Sequence, residues 1–140
     1  MTNLTFASVR IISDDAPALV TFYEKLLEVD AQWLGPMFAA FRSPSGTVAI
    51  ANVESLTFGG TPGIAQPASN GSVFIEFIVA DVDAEFARIS GSLVTDFVLE
   101  PTDMPWGNRS TLFRDPDGNL INLFAPLTAE SKARNTSPVE

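Results

Sequence analysis

The chain contains no histidine and no cysteine. Without cysteine it has no disulfides and no thiolate nucleophile. Without histidine, Ser-His-Asp and Cys-His mechanisms are excluded, because imidazole is the usual general base near neutral pH. Imidazole is also the commonest metal ligand, so any metal would need an all-oxygen site of carboxylates, amides and carbonyls. Positive charge is scarce as well: eight Lys and Arg against 17 Asp and Glu give a net charge of −9. Phosphate binding needs a basic face, so no nucleic-acid partner is expected. An acidic surface favours solubility and draws cationic ligands over long range. No apolar run approaches the roughly 20 residues of a membrane span, so no membrane partner is expected. The N-terminus lacks the basic and apolar regions of a secretory signal, and the expected compartment is the cytoplasm.

What is present describes a globular protein. With 140 residues, 46% of them hydrophobic, the chain is long enough for one well-formed core and too short for two ordinary domains. Its most informative stretch runs from Asp103 to Phe124. Residues 109–114 mix β-formers with polar residues. Asp115-Pro116-Asp117-Gly118 is turn chemistry, with Pro presetting φ, Asp bonding nearby backbone and Gly supplying positive φ. Residues 119–124 alternate polar and apolar, as a half-buried strand does. An upstream segment, Phe41-Arg42-Ser43-Pro44-Ser45-Gly46, matches Phe113 to Gly118 at Phe, Arg, Pro and Gly.

The flanking segments repeat in the same order. Residues 5–13 read as a strand. Asp14 or Asp15 then caps a helix over 16–27, with Pro17 in its first turn and Leu19, Phe22, Tyr23, Leu26 and Leu27 on one face. Strands follow at 30–34, 37–42 and 47–53. Residues 54–71 are rich in Gly, Pro, Ser and Asn and read as a linker with a loop. The second round has a strand at 72–79, a helix capped by Asp81 and running to Ile89, and a strand at 94–99. The hairpin described above completes it. The expected fold is α+β. It comprises two tandem βαβββ modules, about 4–53 and 72–126, forming a curved mixed sheet around a cleft. A polar tail over 127–140 is expected to fray. One such module is too small to bury its own sheet face.

A duplicated βαβββ chain with Asp15, Phe22 and Tyr23 in its first helix resembles the vicinal oxygen chelate superfamily. That group includes glyoxalase I, extradiol dioxygenases, fosfomycin-resistance proteins and bleomycin-resistance proteins. Phe113-Arg-Asp-Pro-Asp-Gly-Asn119 is similar to a hallmark of the group. Pro105-Trp-Gly-Asn-Arg109 ahead of it resembles the bleomycin-resistance branch. The resemblance covers about residues 4–126 and implies the fold just given, commonly as a homodimer. Metal-dependent relatives carry ligands at one position on the first and one on the last strand of each module. Counting from the helix-start Asp gives Ser8 and Phe74; counting four residues beyond the turn Gly gives Ile50 and Asn122. Relatives place His, Gln or Glu there. Phe and Ile do not ligate, and Ser and Asn are poor neutral ligands. No metal and no other cofactor is therefore expected.

Strand parity then selects cleft residues. If Ser8 and Phe74 face the cleft, so do Arg10 and Glu76, two residues further along each strand. As a ligand-anchoring pair, Arg10 suits a carboxylate or phenolate, and Glu76 an amine or a transferred proton. The alternative is a mutual ion pair that satisfies both groups. Trp106, between Pro105 and Gly107, suits stacking at a cleft mouth; its alternative is edge-of-core packing. Trp33 and Phe38 are candidates for the opposite wall, or for core. Ile50, Phe74, Asn122 and Phe124 complete a mostly apolar pocket with a few polar directors. Arg109 and Arg114 have opposite parity on one strand, so at most one faces the cleft. Three functions stay open. The first is metal-independent binding of a small organic molecule, aromatic or cationic. The second is a lyase, isomerase or dioxygenase using a non-standard site, with Glu76 as base. The third is a structural or regulatory module with a vestigial cleft.

Overall fold

The computed structural model describes residues 3–136. Its elements run β1 (Val9–Ser13), α1 (Ala16–Leu27), β2 (Gln32–Trp33), β3 (Phe38–Ser43), β4 (Gly46–Asn52), a 3-10 helix (Val53–Gly59), β5 (Phe74–Ile78), α2 (Val82–Ile89), β6 (Phe97–Asp103), β7 (Asn108–Arg114), β8 (Leu120–Pro126) and α3 (Ala129–Thr136). The chain divides into two units, Met1–Asn70 and Gly71–Glu140. Each unit is a βαβββ module with one four-stranded sheet, ordered β1-β4-β3-β2 in the first and β5-β8-β7-β6 in the second. The outer pairs β1–β4 and β5–β8 are parallel and the remaining pairs antiparallel, so both sheets are mixed. The duplicated α+β fold expected from the sequence is thus present. No helix among the described residues is long and apolar enough to cross a membrane.

Equivalent aspartates start the two helices. Asp15 Oδ1 accepts from the backbone N–H of Ala18 at 3.1 Å, and Asp81 Oδ1 from that of Ala84 at 3.1 Å. Each satisfies a first-turn donor that has no partner within the helix. On α1 the buried residues Ala16, Leu19, Val20, Phe22, Tyr23 and Leu26 repeat at helical spacing. The Tyr23 ring lies 6.2 Å from that of Phe41 on β3, which identifies the sheet face that α1 covers. In the second unit Phe86 of α2 lies 4.5 Å from Phe97, and Phe97 lies 5.7 Å from Phe113. Phe41 and Phe113, the first residues of the repeated turn motif, are thus both core residues under their helices.

The two hairpins differ by one residue. In the first, Ser43 pairs with Gly46 and Phe41 with Val48. In the second, Arg114 pairs with Leu120 and Phe113 with Ile121. Asp115 holds the longer turn open. Its Oδ1 accepts from the backbone N–H groups of Asp117 and Asn119, each at 2.9 Å, and its Oδ2 from Asn119 Nδ2 at 2.8 Å. Gly118 supplies the positive φ of 84° that the turn needs. Ser43 instead donates to the Gly46 carbonyl at 2.8 Å, closing a tight turn.

Three segments differ from the sequence expectation. The linker opens with the 3-10 helix Val53–Gly59. The strand expected at 94–99 is shifted to Phe97–Asp103 and runs through Pro101. Proline is tolerated there because β6 is an edge strand and its pairing with β7 has two register shifts. Val94 instead bridges to Ser90, while its carbonyl accepts from Gly91 N–H at 2.8 Å. Finally, the expected polar tail contains the helix Ala129–Thr136. Thr128 Oγ1 caps it by accepting from Ser131 N–H at 3.1 Å. Buried Ser131 donates its hydroxyl to Asn108 Oδ1, and Arg134 Nη2 donates to the Trp106 carbonyl at 2.7 Å.

Candidate functional site

Register decides which side chains lie on the sheet face turned away from each helix. In module one Phe41 faces α1, and the residues paired or alternating with it do the same: Ala39, Val48, Ile50 and Ile11. The free face carries Arg10, Phe38, Ala40, Ala49 and Ala51. Arg10 Cζ stands 6.0 Å from the Phe38 ring centroid, a cation–π contact on that face. The buried alanines form its floor.

Two of the expected cleft residues are therefore on the other side. Ile50 is fully buried on the α1 side. It pairs with Ile11, whereas Ala49 pairs with Arg10. The shorter first hairpin moves the count by one, so Ala49 is the counterpart of Asn122. Trp33 pairs with Ala39 and so shares the α1 side, opposite to Phe38. Ser8 is half-buried and precedes β1 by one residue, so no ladder fixes its direction.

Module two brings the expected residues together. Phe113 and Phe97 mark the α2 side, so Phe74, Glu76 and Ile78 of β5 share the free face with Leu120, Asn122 and Phe124 of β8. Phe74 and Ile78 are 44% and 55% exposed, while Phe124 is buried. Exposed Glu76 is flanked by these apolar side chains. Its Oε2 accepts from Asn122 Nδ2 at 2.8 Å. Within its module Glu76 has no ion-pair partner among the described residues. The other half of the amide, Asn122 Oδ1, is buried with no hydrogen-bond partner.

Ser110, which the sequence reading did not single out, belongs to the same face. It pairs with Phe124 and is 2% exposed, and its Oγ is also buried without a partner. Leaving a polar group buried and unpaired costs about 1–3 kcal/mol. Counting back from Phe124 across the hairpin finds Ser110, once the turn length is known.

Arg109 and Arg114 have structural partners. Arg109 lies on the α2 side, where Nε and Nη2 grip Asp83 at 2.8 and 3.0 Å and Nη1 reaches Asp103 at 2.8 Å. The hydrogen bond from Arg109 holds the Asp83 carboxyl below the usual range. Those bonds push the Arg109 guanidinium further up. Arg114 Nη1 donates to the Gly118 carbonyl at 2.9 Å and belongs to the turn. Trp106 is 60% exposed in the turn between β6 and β7. It borders a cavity of about 430 Å³ against the start of α3, which Arg134 also lines.

Comparison with known proteins agrees with this architecture. The family model Glyoxalase/Bleomycin resistance protein/Dioxygenase superfamily matches residues 5–123. A glyoxalase/bleomycin resistance protein/dioxygenase from Nocardioides has a TM-score of 0.74 at 24% identity, over 92% of this chain and 87% of that one. A family enzyme from Burkholderia phytofirmans PsJN has a TM-score of 0.73 at 16% identity, over 86% and 98% of the two chains. TioX from Micromonospora sp. ML1 has a TM-score of 0.64 at 23% identity, over 88% and 99%. At such identities the solved structures speak for the fold alone. No curated protein matches the chain. The matched family model spans both modules, and the chain belongs to the glyoxalase/bleomycin resistance protein/dioxygenase superfamily.

Proposed function

We propose that the protein binds a small organic molecule, aromatic or cationic, on the free face of its second module and without a metal ion. One observation carries the reading: Phe74, Ile78 and Phe124 surround a carboxylate and an amide that are hydrogen-bonded to each other at 2.8 Å. An apolar surface with a few polar directors is the usual composition of a small-molecule site. The donor chemistry supports metal independence. By the family resemblance Ser8, Phe74 and Asn122 correspond to ligand positions of metal-dependent relatives, and Ala49 takes the place of Ile50 in that set because it pairs with Arg10 as Asn122 pairs with Glu76. A phenyl and a methyl group do not ligate, and two neutral oxygens hold a divalent transition metal poorly. Among the described residues no three His, Cys, Asp or Glu side chains cluster.

In this reading the two modules act as one cytoplasmic domain, and the protein is a homodimer, as family membership suggests. Thermal-shift screening against aromatic and cationic compounds tests binding, since a ligand specific to the folded state raises the melting temperature. A broad panel with no shift rejects it. Elemental analysis of the purified protein tests the metal: stoichiometric Fe, Mn, Ni or Zn rejects metal independence. Sedimentation at micromolar concentration tests the dimer, and a monomer rejects it.

A further inference from the structure

Glu76, Asn122 and Ser110 form a row of oxygen acceptors across three adjacent strands of the second module. Glu76 is on the edge strand β5, Asn122 beside it on β8, and Ser110 diagonally beyond on β7. The Asn122 amide is oriented by its bond to Glu76: Nδ2 is used by the carboxylate, so Oδ1 is the end left over. Oδ1 accepts only, and it is buried with no donor in reach. Ser110 Oγ is buried without a partner on the same face. Glu76 adds a negative charge with no ion-pair partner in its module among the described residues. Buried polar atoms in native proteins are normally paired, so two orphans beside an unpaired carboxylate call for a group that brings hydrogens.

We propose that this row recognises a protonated primary amine or an amidinium carried by the ligand. One N–H bonds the Glu76 carboxylate from the exposed edge. A second reaches Asn122 Oδ1, and Ser110 Oγ accepts a third or a bridging water. The ligand's hydrocarbon or aryl part lies against Phe74 and Ile78, which are already exposed beside the carboxylate. A carboxylate or phosphate ligand is disfavoured, since it would face Glu76 and an acceptor-only amide oxygen. A neutral alcohol of the same shape supplies one donor and no charge. Asn122 has two roles: it contacts the ligand and it positions Glu76.

This inference rests on the small-molecule reading above, and its test separates the two. The full-length protein is titrated with 2-phenylethylammonium, benzamidinium, 2-phenylethanol and 3-phenylpropionate, with binding followed by calorimetry and by backbone amide shifts. Either cation is expected to bind at least tenfold more tightly than the alcohol and the acid, and to shift residues 74–78 and 122. In Glu76→Gln, which keeps the side-chain shape, cation affinity is expected to fall at least tenfold, to the level of the alcohol. Ser110→Ala, which leaves the carboxylate in place, is expected to lose about threefold. Equal binding of alcohol and cations, or unchanged cation affinity in a folded Glu76→Gln, overturns the amine assignment and leaves the pocket reading standing. Binding of none of the four overturns the amine assignment, and the broader thermal-shift panel then decides the pocket reading separately.

Discussion

Asn122 Nδ2 donates to Glu76 Oε2 over 2.8 Å, tying β8 to the edge strand β5, while Oδ1 of the same amide is buried with no partner. The amide therefore serves one neighbour and burdens the fold at its other end. A buried acceptor left unpaired costs about 1–3 kcal/mol. Leucine has the same branched heavy-atom skeleton as asparagine and carries no such acceptor, and the exposed Glu76 can turn to water. Asn122→Leu is expected to stabilise the protein by about 1 kcal/mol, seen as a higher urea midpoint with an unchanged slope. A lower midpoint would mean that the amide is satisfied in the folded protein. Polar groups kept at a cost to stability are characteristic of binding surfaces.

Ile50 is the residue most sharply reassigned by the fold. It is fully buried on the α1 side, against Ile11 and Ala39. Truncating such a side chain removes transfer free energy and leaves a cavity. Ile50→Ala is expected to cost about 2–5 kcal/mol, measured by urea unfolding. A cost below about 1 kcal/mol would take Ile50 out of the core and return it to the candidate site.

The reassignment shows what the sequence carries and what it omits. Asp15 and Asp81 were readable because an N-cap is a local device: one side chain and a donor three residues on. The buried stripe of α1 was readable for the same reason, as a period of 3.6. The hairpins were recognisable as repeats, and Phe41 aligns with Phe113 without a gap. Their registers still differ by one residue, because a carboxylate at 115 gathers donors from Asp117 and Asn119 while the serine at 43 closes a tight turn. In a strand one residue exchanges the two faces, so the same count from glycine lands on the free face at Asn122 and on the α1 side at Ile50, one residue past Ala49. Trp33 stayed open between wall and core for a related reason: its side depends on pairing with Ala39, which no local pattern encodes. Helix α3 is polar and short, so its formation depends on tertiary partners, above all Asn108 and Trp106.

Those partners meet at Gly107. Its φ is 93°, and a Cβ added there would stand 2.4 Å from Thr128 Oγ1, the atom that caps α3. Gly118 has a similar φ of 84° with nothing within 4 Å of its added Cβ. The pair separates backbone strain from steric conflict. Gly118→Ala is expected to cost about 1–2 kcal/mol, the left-handed penalty alone. Gly107→Ala is expected to cost about 1–3 kcal/mol more than that, because Thr128 must move and the helix cap goes with it. The extra loss should be accompanied by faster amide exchange across Ala129–Thr136. Equal costs at the two glycines would show that the approach of Thr128 is not limiting.

The ion-pair cluster on the α2 side gives the protein a defined acid response. Hydrogen bonds from Arg109 lower the Asp83 carboxyl pKa, while Arg109 stays charged at every accessible pH. A depressed folded-state value means that the stabilisation is complete above the unfolded carboxyl value of about 3.9. It is lost as the pH falls through the lower folded value, when Asp83 takes up its proton. Arg109→Met removes the donor and should lower the urea midpoint at neutral pH. Because both proteins bind the same protons once Asp83 is neutral, the gap between wild type and variant should narrow progressively as the pH falls below about 4. Asp83 is exposed, so the gap should also shrink in high salt. A gap independent of pH would assign the contribution of Arg109 to packing of its aliphatic stem, with no part from the charge pair.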